Sequence, residues 1–247
     1  MLLPWQTLQD RHRSARSLRP DKRDGWTCDR WKHAEPGELL PHIPTASLNG
    51  VTMKRKLRVS LVTETYFPQV NGVSRTLDQL VQHCANQGDR VQLLIPRYDD
   101  NFVELPANVE KRDWWAMPLP FYKEVVLPLV SISAIEQTLK NFRPDLVHIA
   151  TEGPLGWAAL RAAKRLDLPV VSSYHTNFPQ YLETYHASFL EPACWKYLRW
   201  FHNNTLATFC PSVSTRQLIE TKGLNNVGIW SRGVDSHKFC PGKRDYD

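Results

Sequence analysis

The chain has 247 residues, 42% of them hydrophobic, which is enough to bury one substantial core and excludes a wholly disordered polypeptide. Its 31 Lys and Arg exceed 25 Asp and Glu for a net charge of +6, but the positive residues are scattered, so nucleic acid is not an expected partner, whereas sugar nucleotides and anionic lipid surfaces are compatible with the balance. Cys28, Cys84, Cys194, Cys210 and Cys240 form no C-x-x-C pair and read as reduced thiols of a cytoplasmic protein with no metal and no cofactor; no run of ~18 apolar residues could span a bilayer, so any membrane contact is expected to be peripheral, at the inner face.

Residues 1–52 carry Arg11, Arg13, Arg16 and Arg19 among Pro, Trp and acidic residues without sustained periodicity, and are expected to be a disordered extension. Met53 precedes a basic run and a strand, so translation is expected to start there and the folded domain to occupy 53–230. Residues 57–62 read as a first strand. After Gly72, the residues Val73, Leu77, Leu80, Val81 and Cys84 recur at helical spacing, and Gly88 marks the helix end. Val91 to Ile95 is a second strand, which completes a βαβ unit and favours a doubly wound parallel sheet. Residues 118–128, with Trp114 and Trp115 ahead of them, read as an irregular apolar loop of a kind that can line an acceptor site.

Ser133-x-x-Glu136 has the form of a capping box for a helix ended by Pro144, with Ile132, Ile135, Leu139 and Phe142 on one face. A strand at 146–149, a helix from Pro154 and a strand at 169–173 follow. The aromatic stretch 195–201 packs into the core or, with Lys196 and Arg199, meets an anionic lipid surface; core packing is the favoured reading. A strand at 206–210, a capping box at Ser214-x-x-Gln217 opening a helix that stops at Gly223, and a strand at 227–230 close the alternation. The fold class is therefore α/β, a Rossmann-like doubly wound parallel sheet.

Ligands of such sheets bind beyond the carboxyl ends of the strands, which directs attention to the loops 64–72, 150–156, 174–181 and 231–235. Asn71-Gly72 lies at a strand-to-helix junction where a backbone without a Cβ can approach a phosphate, although a tight turn explains it equally and the three-glycine dinucleotide fingerprint is absent. His175 follows a strand directly and can exchange hydrogen bonds with a hydroxyl-rich ligand; the alternative is a structural histidine. Glu152 can bind sugar hydroxyls or simply complement a helix dipole, the latter being favoured, and no pair of carboxylates is placed for hydrolysis.

Five segments in order resemble glycosyltransferase family 4: T-E-T-Y-F-P-Q-V-N-G-V-S-R-T-L at 63–77, E-G-P-L-G at 152–156, S-Y-H-T-N-F-P-Q-Y at 173–181, Pro211-Ser212, and R-G-V-D-S-H-K-F at 232–239. The resemblance runs from 57 to about 241 and implies the N-terminal, acceptor-side half of a GT-B fold. Within the family it is to mannosyltransferases that use GDP-mannose and to sulfoquinovosyl-diacylglycerol synthases. It implies retaining transfer of a hexose from GDP-mannose or a UDP-sugar to a lipid or glycolipid acceptor. Gly72 matches the glycine whose backbone approaches the donor diphosphate, and His175 the histidine that touches the transferred sugar. Tyr66, Asn71, Glu152, Thr176 and Gln180 fall on the acceptor side, with Asn71 standing where some relatives have a second glycine. The Arg, Lys and Glu-x7-Glu set of the family's other half is not found, and 231–247 resembles the start of the linker to it. The expectation is a chain cut at the hinge, with little activity alone. Two other readings are a non-catalytic acceptor- or membrane-binding module and a protein like the nucleotide-sugar epimerases, the second disfavoured by the segments around His175 and Arg232.

Overall fold

A computed structural model describes residues 56–98, 104–119, 122–175 and 188–231, all within one compact unit that begins at Lys56. The expected extension 1–52, Thr176, Gln180 and the 232–239 segment lie outside the described residues.

The centre of the fold is β1 (Arg58–Val62), whose residues from Val59 onward are all buried. Burial on both faces is the mark of an interior strand of a parallel sheet, and it explains why β1 reads as a nearly continuous apolar run. After it, α1 (Gly72–Asn86) turns Leu77, Leu80, Val81 and Cys84 inward. Its start is set by Asn71, which accepts from the N–H groups of Val73 and Ser74 while the Ser74 hydroxyl accepts from the Asn71 N–H. Past its end, Gly88 adopts φ +75°, a conformation that costs other residues dearly, and the chain turns into β2 (Arg90–Pro96).

The next strand, β3 (Val109–Trp114), pairs in parallel with β2 at the sheet edge. Its sequence, VEKRDW, is partly exposed and has no apolar alternation, which is why periodicity does not reveal it. The segment expected to be an irregular loop is instead an antiparallel ribbon of β4 (Ala116–Leu119) and β5 (Tyr122–Pro128), with Met117 opposite Leu127. Proline 118 is tolerated there because a two-stranded ribbon has only edges.

Helix α2 (Ile132–Phe142) is capped by Ser131, whose hydroxyl accepts from Ala134 N at 3.2 Å, so the expected Ser133–Glu136 box does not form. Glu136 instead pairs with Lys140 at 2.6 Å and Arg165 at 3.5 Å. Then come β6 (Leu146–Ile149), α3 (Pro154–Arg165), β7 (Val170–Ser173), α4 (Glu191–His202), β8 (Thr208–Cys210), α5 (Val213–Thr221) and β9 (Val227–Ile229). Here too the cap lies earlier than expected: Ser212, not Ser214, accepts from Thr215 N at 3.1 Å. In both cases a serine before the first helical residue wins, because only an extended residue can aim its oxygen at the open N–H groups.

The main sheet is wholly parallel, with order β3-β2-β1-β6-β7-β8-β9. The chain runs outward from β1 in one direction, then returns to β6 and runs outward in the other. The switch point lies between β1 and β6, the place where an open parallel sheet generally forms its ligand crevice. One core joins the sheet to α2 and α3 through Val62, Leu94, Ile135, Leu139 and Ile149, and the alanines 158, 159, 162 and 163 let α3 approach closely. A second core gathers Trp195, Leu198, Ile219 and Leu224 from α4, α5 and the turn after it. Among the described residues no helix is long and apolar enough to cross a membrane.

Candidate functional site

At the switch point, Glu64 leaves β1 and reaches across to the start of α3. That helix has glycine at its N-cap and no side-chain cap of its own. The Glu64 carboxylate replaces one: Gly156 N donates to its Oε1 at 3.0 Å, and the Thr151 hydroxyl donates to Oε2. Thr151 in turn accepts from Glu64 N at 2.8 Å. A Cβ at residue 153 would lie 2.7 Å from the Glu64 carboxyl, and one at residue 156 would lie 2.0 Å from Thr151 O. Gly153 is therefore a steric requirement of this insertion, and Gly156 one of the close approach of α3 to the Thr151 carbonyl.

Burial pushes the Glu64 carboxyl up to about 7, offset by the Gly156 N–H and reinforced by the nearby Glu152 carboxylate. A carboxyl that titrates near neutrality at the switch point of a parallel sheet is what a functional crevice looks like electrostatically.

Glu152 is itself buried. Its Oε1 lies 3.0 Å from His202 Nε2, and its carbonyl accepts from the Tyr197 hydroxyl at 2.5 Å. On the other side of the ring, His202 Nδ1 lies 2.9 Å from Ser172 Oγ, which also meets Thr205 and Thr208 at 3.0 and 3.1 Å. Carboxylate, imidazole and hydroxyl stand in the order of a serine hydrolase. The Ser172 hydroxyl is fully enclosed by these partners, however, and no substrate carbonyl can reach it, so the array is a structural network that binds α4 to β6 and β7. Glu152 thus has an internal partner in His202, beyond the dipole role expected of it.

His175 lies two residues past β7, half-buried, with its ring edge-on to Trp230 at 5.7 Å. The same indole lies 5.8 Å from His148, whose Nε2 is 2.6 Å from Ser173 Oγ. Burial, and then the neighbouring His175, push His148 down to about 3, so His148 is neutral at physiological pH. Trp230, just beyond β9, is positioned by its N–H to Cys210 O at 2.7 Å.

On the β1 side, Asn71 accepts from two N–H groups of α1 at 2.9 Å each. Among the described residues, the exposed Gly72 N–H of the first turn has no acceptor, at the positive end of a 15-residue helix. Tyr66 is fully buried, its hydroxyl donating to Asp78 at 2.9 Å; burial and that carboxylate push it up.

Gly72, Asn71, Glu152 and His175 therefore all lie at the carboxyl end of the sheet, while Tyr66 is packed beneath the β1 loop. Glu64, Thr151, His148, His202 and Trp230 were not singled out from the sequence. Glu64 had one legible signal: a carboxylate directly after the first strand, in a chain whose α3 begins Gly-Pro without a capping side chain. Among the described residues no cluster of three or more His, Cys, Asp or Glu side chains could hold a metal ion.

The profile of Glycosyltransferase Family 4 matches residues 70–238. The chain belongs to this family. A GDP-mannose-dependent alpha-mannosyltransferase from Corynebacterium glutamicum is 30% identical over 194 residues, covering 77% of this chain and 46% of that protein. An alpha-monoglucosyldiacylglycerol synthase from Streptococcus pneumoniae is 28% identical over 193 residues, covering 74% and 42%. The family 4 chain thus spans about half the length of the curated relatives it matches. Among solved structures, sucrose-phosphate synthase from Thermosynechococcus elongatus superimposes with a TM-score of 0.57 at 13% identity, over 75% of this chain and 50% of that one. The fold is the Rossmann-like half of a GT-B glycosyltransferase, as expected from the motifs.

Proposed function

We propose that this domain is the acceptor-side half of a retaining hexosyltransferase that uses GDP-mannose or a UDP-sugar and delivers the sugar to a lipid or glycolipid acceptor. The observation that carries the reading is the pairing of the open Gly72 N–H with His175 at the same end of one sheet, on either side of the switch-point crevice. The helix N-terminus receives the donor diphosphate, whose charge grows as the sugar departs, and His175 contacts the sugar being transferred. Asn71 sets the start of α1 and so places Gly72. Trp230 and the neutral His148 hold the His175 ring. Glu64 and Glu152 form the floor of the crevice, and acceptor contacts are proposed for Thr176 and Gln180.

Reaction here is a matter of positioning and electrostatics: the acceptor hydroxyl attacks from the face the diphosphate leaves. The lipid acceptor is supported by the relatives' chemistry and by α4, which buries Trp195, Leu198 and Phe201 but exposes Tyr197 and Trp200, stacked at 6.1 Å. Trp157 and Phe189 are exposed as well. Helix α4 suits peripheral contact at the inner face of an anionic membrane, with Lys196 and Arg199 on the same helix.

The test joins this domain to the donor-binding half of a family 4 relative and assays the joined protein with GDP-mannose and UDP-glucose, each radiolabelled in the sugar, and with diacylglycerol-containing vesicles. Labelled lipid is expected, with the anomeric configuration of the donor kept. His175→Ala is expected to lower kcat by about 100-fold. Absence of transfer from either donor, or an unaffected His175→Ala variant, would sink the reading; vesicle binding without transfer would instead support a non-catalytic module.

A further inference from the structure

A recess that opens at the amino ends of β1 and β2 and runs along the face of the sheet toward β3 is lined by three arginines. Arg58 and Arg90 are register partners at the first positions of β1 and β2, and Arg112 stands opposite Leu94 on β3. Side chains alternate along strands, so all three fall on the same face of the sheet, the one on which Leu94 packs against α2. The recess they line has a volume of about 500 Å3 and includes Glu110, Asn141 and Phe142.

The guanidinium groups of Arg58 and Arg90 lie over the same Phe142 ring, at 4.7 and 6.0 Å from its centroid. Arg58 is further fixed by donating to the Phe142 carbonyl through Nε at 2.8 Å and through Nη2. Among the described residues, none of the three arginines forms an ion pair. The one carboxylate in the lining, Glu110, accepts from Gln92 at 2.6 Å. Asn141 Oδ1 accepts from Gln137, which leaves its amide N–H groups as uncharged donors. Three positive charges and one negative leave 3 − 1 = +2 in a single concavity.

We propose that this recess is a second anion site, built for a doubly charged phosphate group such as a phosphomonoester. Like charges held over one ring repel, and an anion between them relieves the repulsion; guanidinium forks match phosphate oxygens two at a time. A monocarboxylate would leave one positive charge unbalanced. The site is separate from the crevice of the proposed transferase: Arg58 opens β1, roughly 15 Å from the end where that crevice lies, and Arg112 is on edge strand β3, two strands away from β1. The phosphate is carried either by a small soluble molecule or by a lipid headgroup.

Inorganic phosphate is titrated into the native protein by calorimetry at low ionic strength, with acetate as competitor, and into the double variant Arg90→Ala/Arg112→Ala. Both residues are exposed at the sheet edge, so circular dichroism and Tm of the variant are expected to match the parent. Its phosphate affinity is expected to fall at least about tenfold, and acetate is expected not to compete. Co-sedimentation with phosphatidylcholine vesicles, with and without phosphatidic acid, separates the two sources. Loss of phosphatidic-acid-dependent binding in the variant assigns a headgroup; equal sedimentation with a lost phosphate isotherm assigns a soluble ligand. The proposal is overturned if the parent binds neither phosphate nor phosphatidic acid, if the folded variant binds both as the parent does, or if acetate competes equally.

Discussion

Arg58 and Glu64 are six residues apart, one opening β1 and the other leaving it, yet their charges meet opposite surroundings. Glu64 is buried, satisfied by a helix N-terminus and a threonine, and pushed up to about 7. Arg58 sits in an open recess with two other guanidiniums and, among the described residues, no ion pair. The difference follows from where parallel strands put their connections. At the carboxyl end the loops after β1 and β6 diverge and fold over the crevice, so polar groups there are desolvated and must find one another. At the amino end Arg58 and Arg90 line an open recess, so their charges meet water and answer to solutes. Ionisation at the first end is coupled to folding; at the second it is coupled to binding.

The sharpest way to break this contrast is to disturb the insertion of Glu64. Gly156→Ala sets a Cβ against the Thr151 carbonyl and the Ile149 side chain, and should cost about 3 kcal/mol or more, read as the shift in urea unfolding midpoint. A loss under ~1 kcal/mol would mean that α3 can slide away from the crevice floor.

Glu64→Gln tests the coupling by its pH dependence. A folded-state value raised from 4.5 to about 7 gives a stabilisation fully present below pH 4.5 and lost as pH rises through about 7. The glutamine variant lacks that loss, so its stability relative to the parent should improve by about 3 kcal/mol between pH 4.5 and pH 7. His148 acts in the opposite sense: lowered from 6.5 to about 3, it stabilises above pH 6.5 and loses that contribution as pH falls toward 3. Without Glu64 to oppose it, the acid-side decline is expected to steepen over pH 6.5 to 4.5. A pH-independent difference between parent and variant would refute the Glu64 assignment, and a Glu64→Gln stability that stays flat between pH 6.5 and 4.5 would refute that of His148.

Asn71→Ala removes two hydrogen bonds at the start of α1 and is expected to cost ~1 kcal/mol by thermal unfolding. If Gly72 is the diphosphate contact, the same variant should raise the KM for the donor more than it lowers kcat. Arg90→Ala, at the uncovered end, is expected to change stability by less than ~0.5 kcal/mol. A larger loss would show that Arg90 holds Phe142 in place as an ordinary packing partner.

Much of this layout was readable in advance, and the particular elements show why. The strands β1, β2, β6 and β7 are buried on both faces and announce themselves as apolar runs; α1 and α3 carry their inward residues at helical spacing. Edge strand β3 and the β4–β5 ribbon were missed because edge pairing needs backbone groups only and leaves little trace in side-chain pattern. The serine caps were displaced by two residues because two serines stood within reach of each helix start, and only the path of the preceding chain decides which is extended.

The amino-acid sequence by itself determined the parallel α/β architecture, the glycines at 72, 153 and 156, and the family, since these rest on local periodicity and short motifs. Only the tertiary structure decided what the glycines at 153 and 156 are for, that Glu152 has His202 as its partner, that Trp230 stands between His148 and His175, and that Arg58, Arg90 and Arg112 share a recess. Apart from the contact of Gly156 with Thr151, each of these joins residues tens of positions apart. Sequence order carries no distance of that kind; it arises when parallel strands stack in register and bring their ends to common edges.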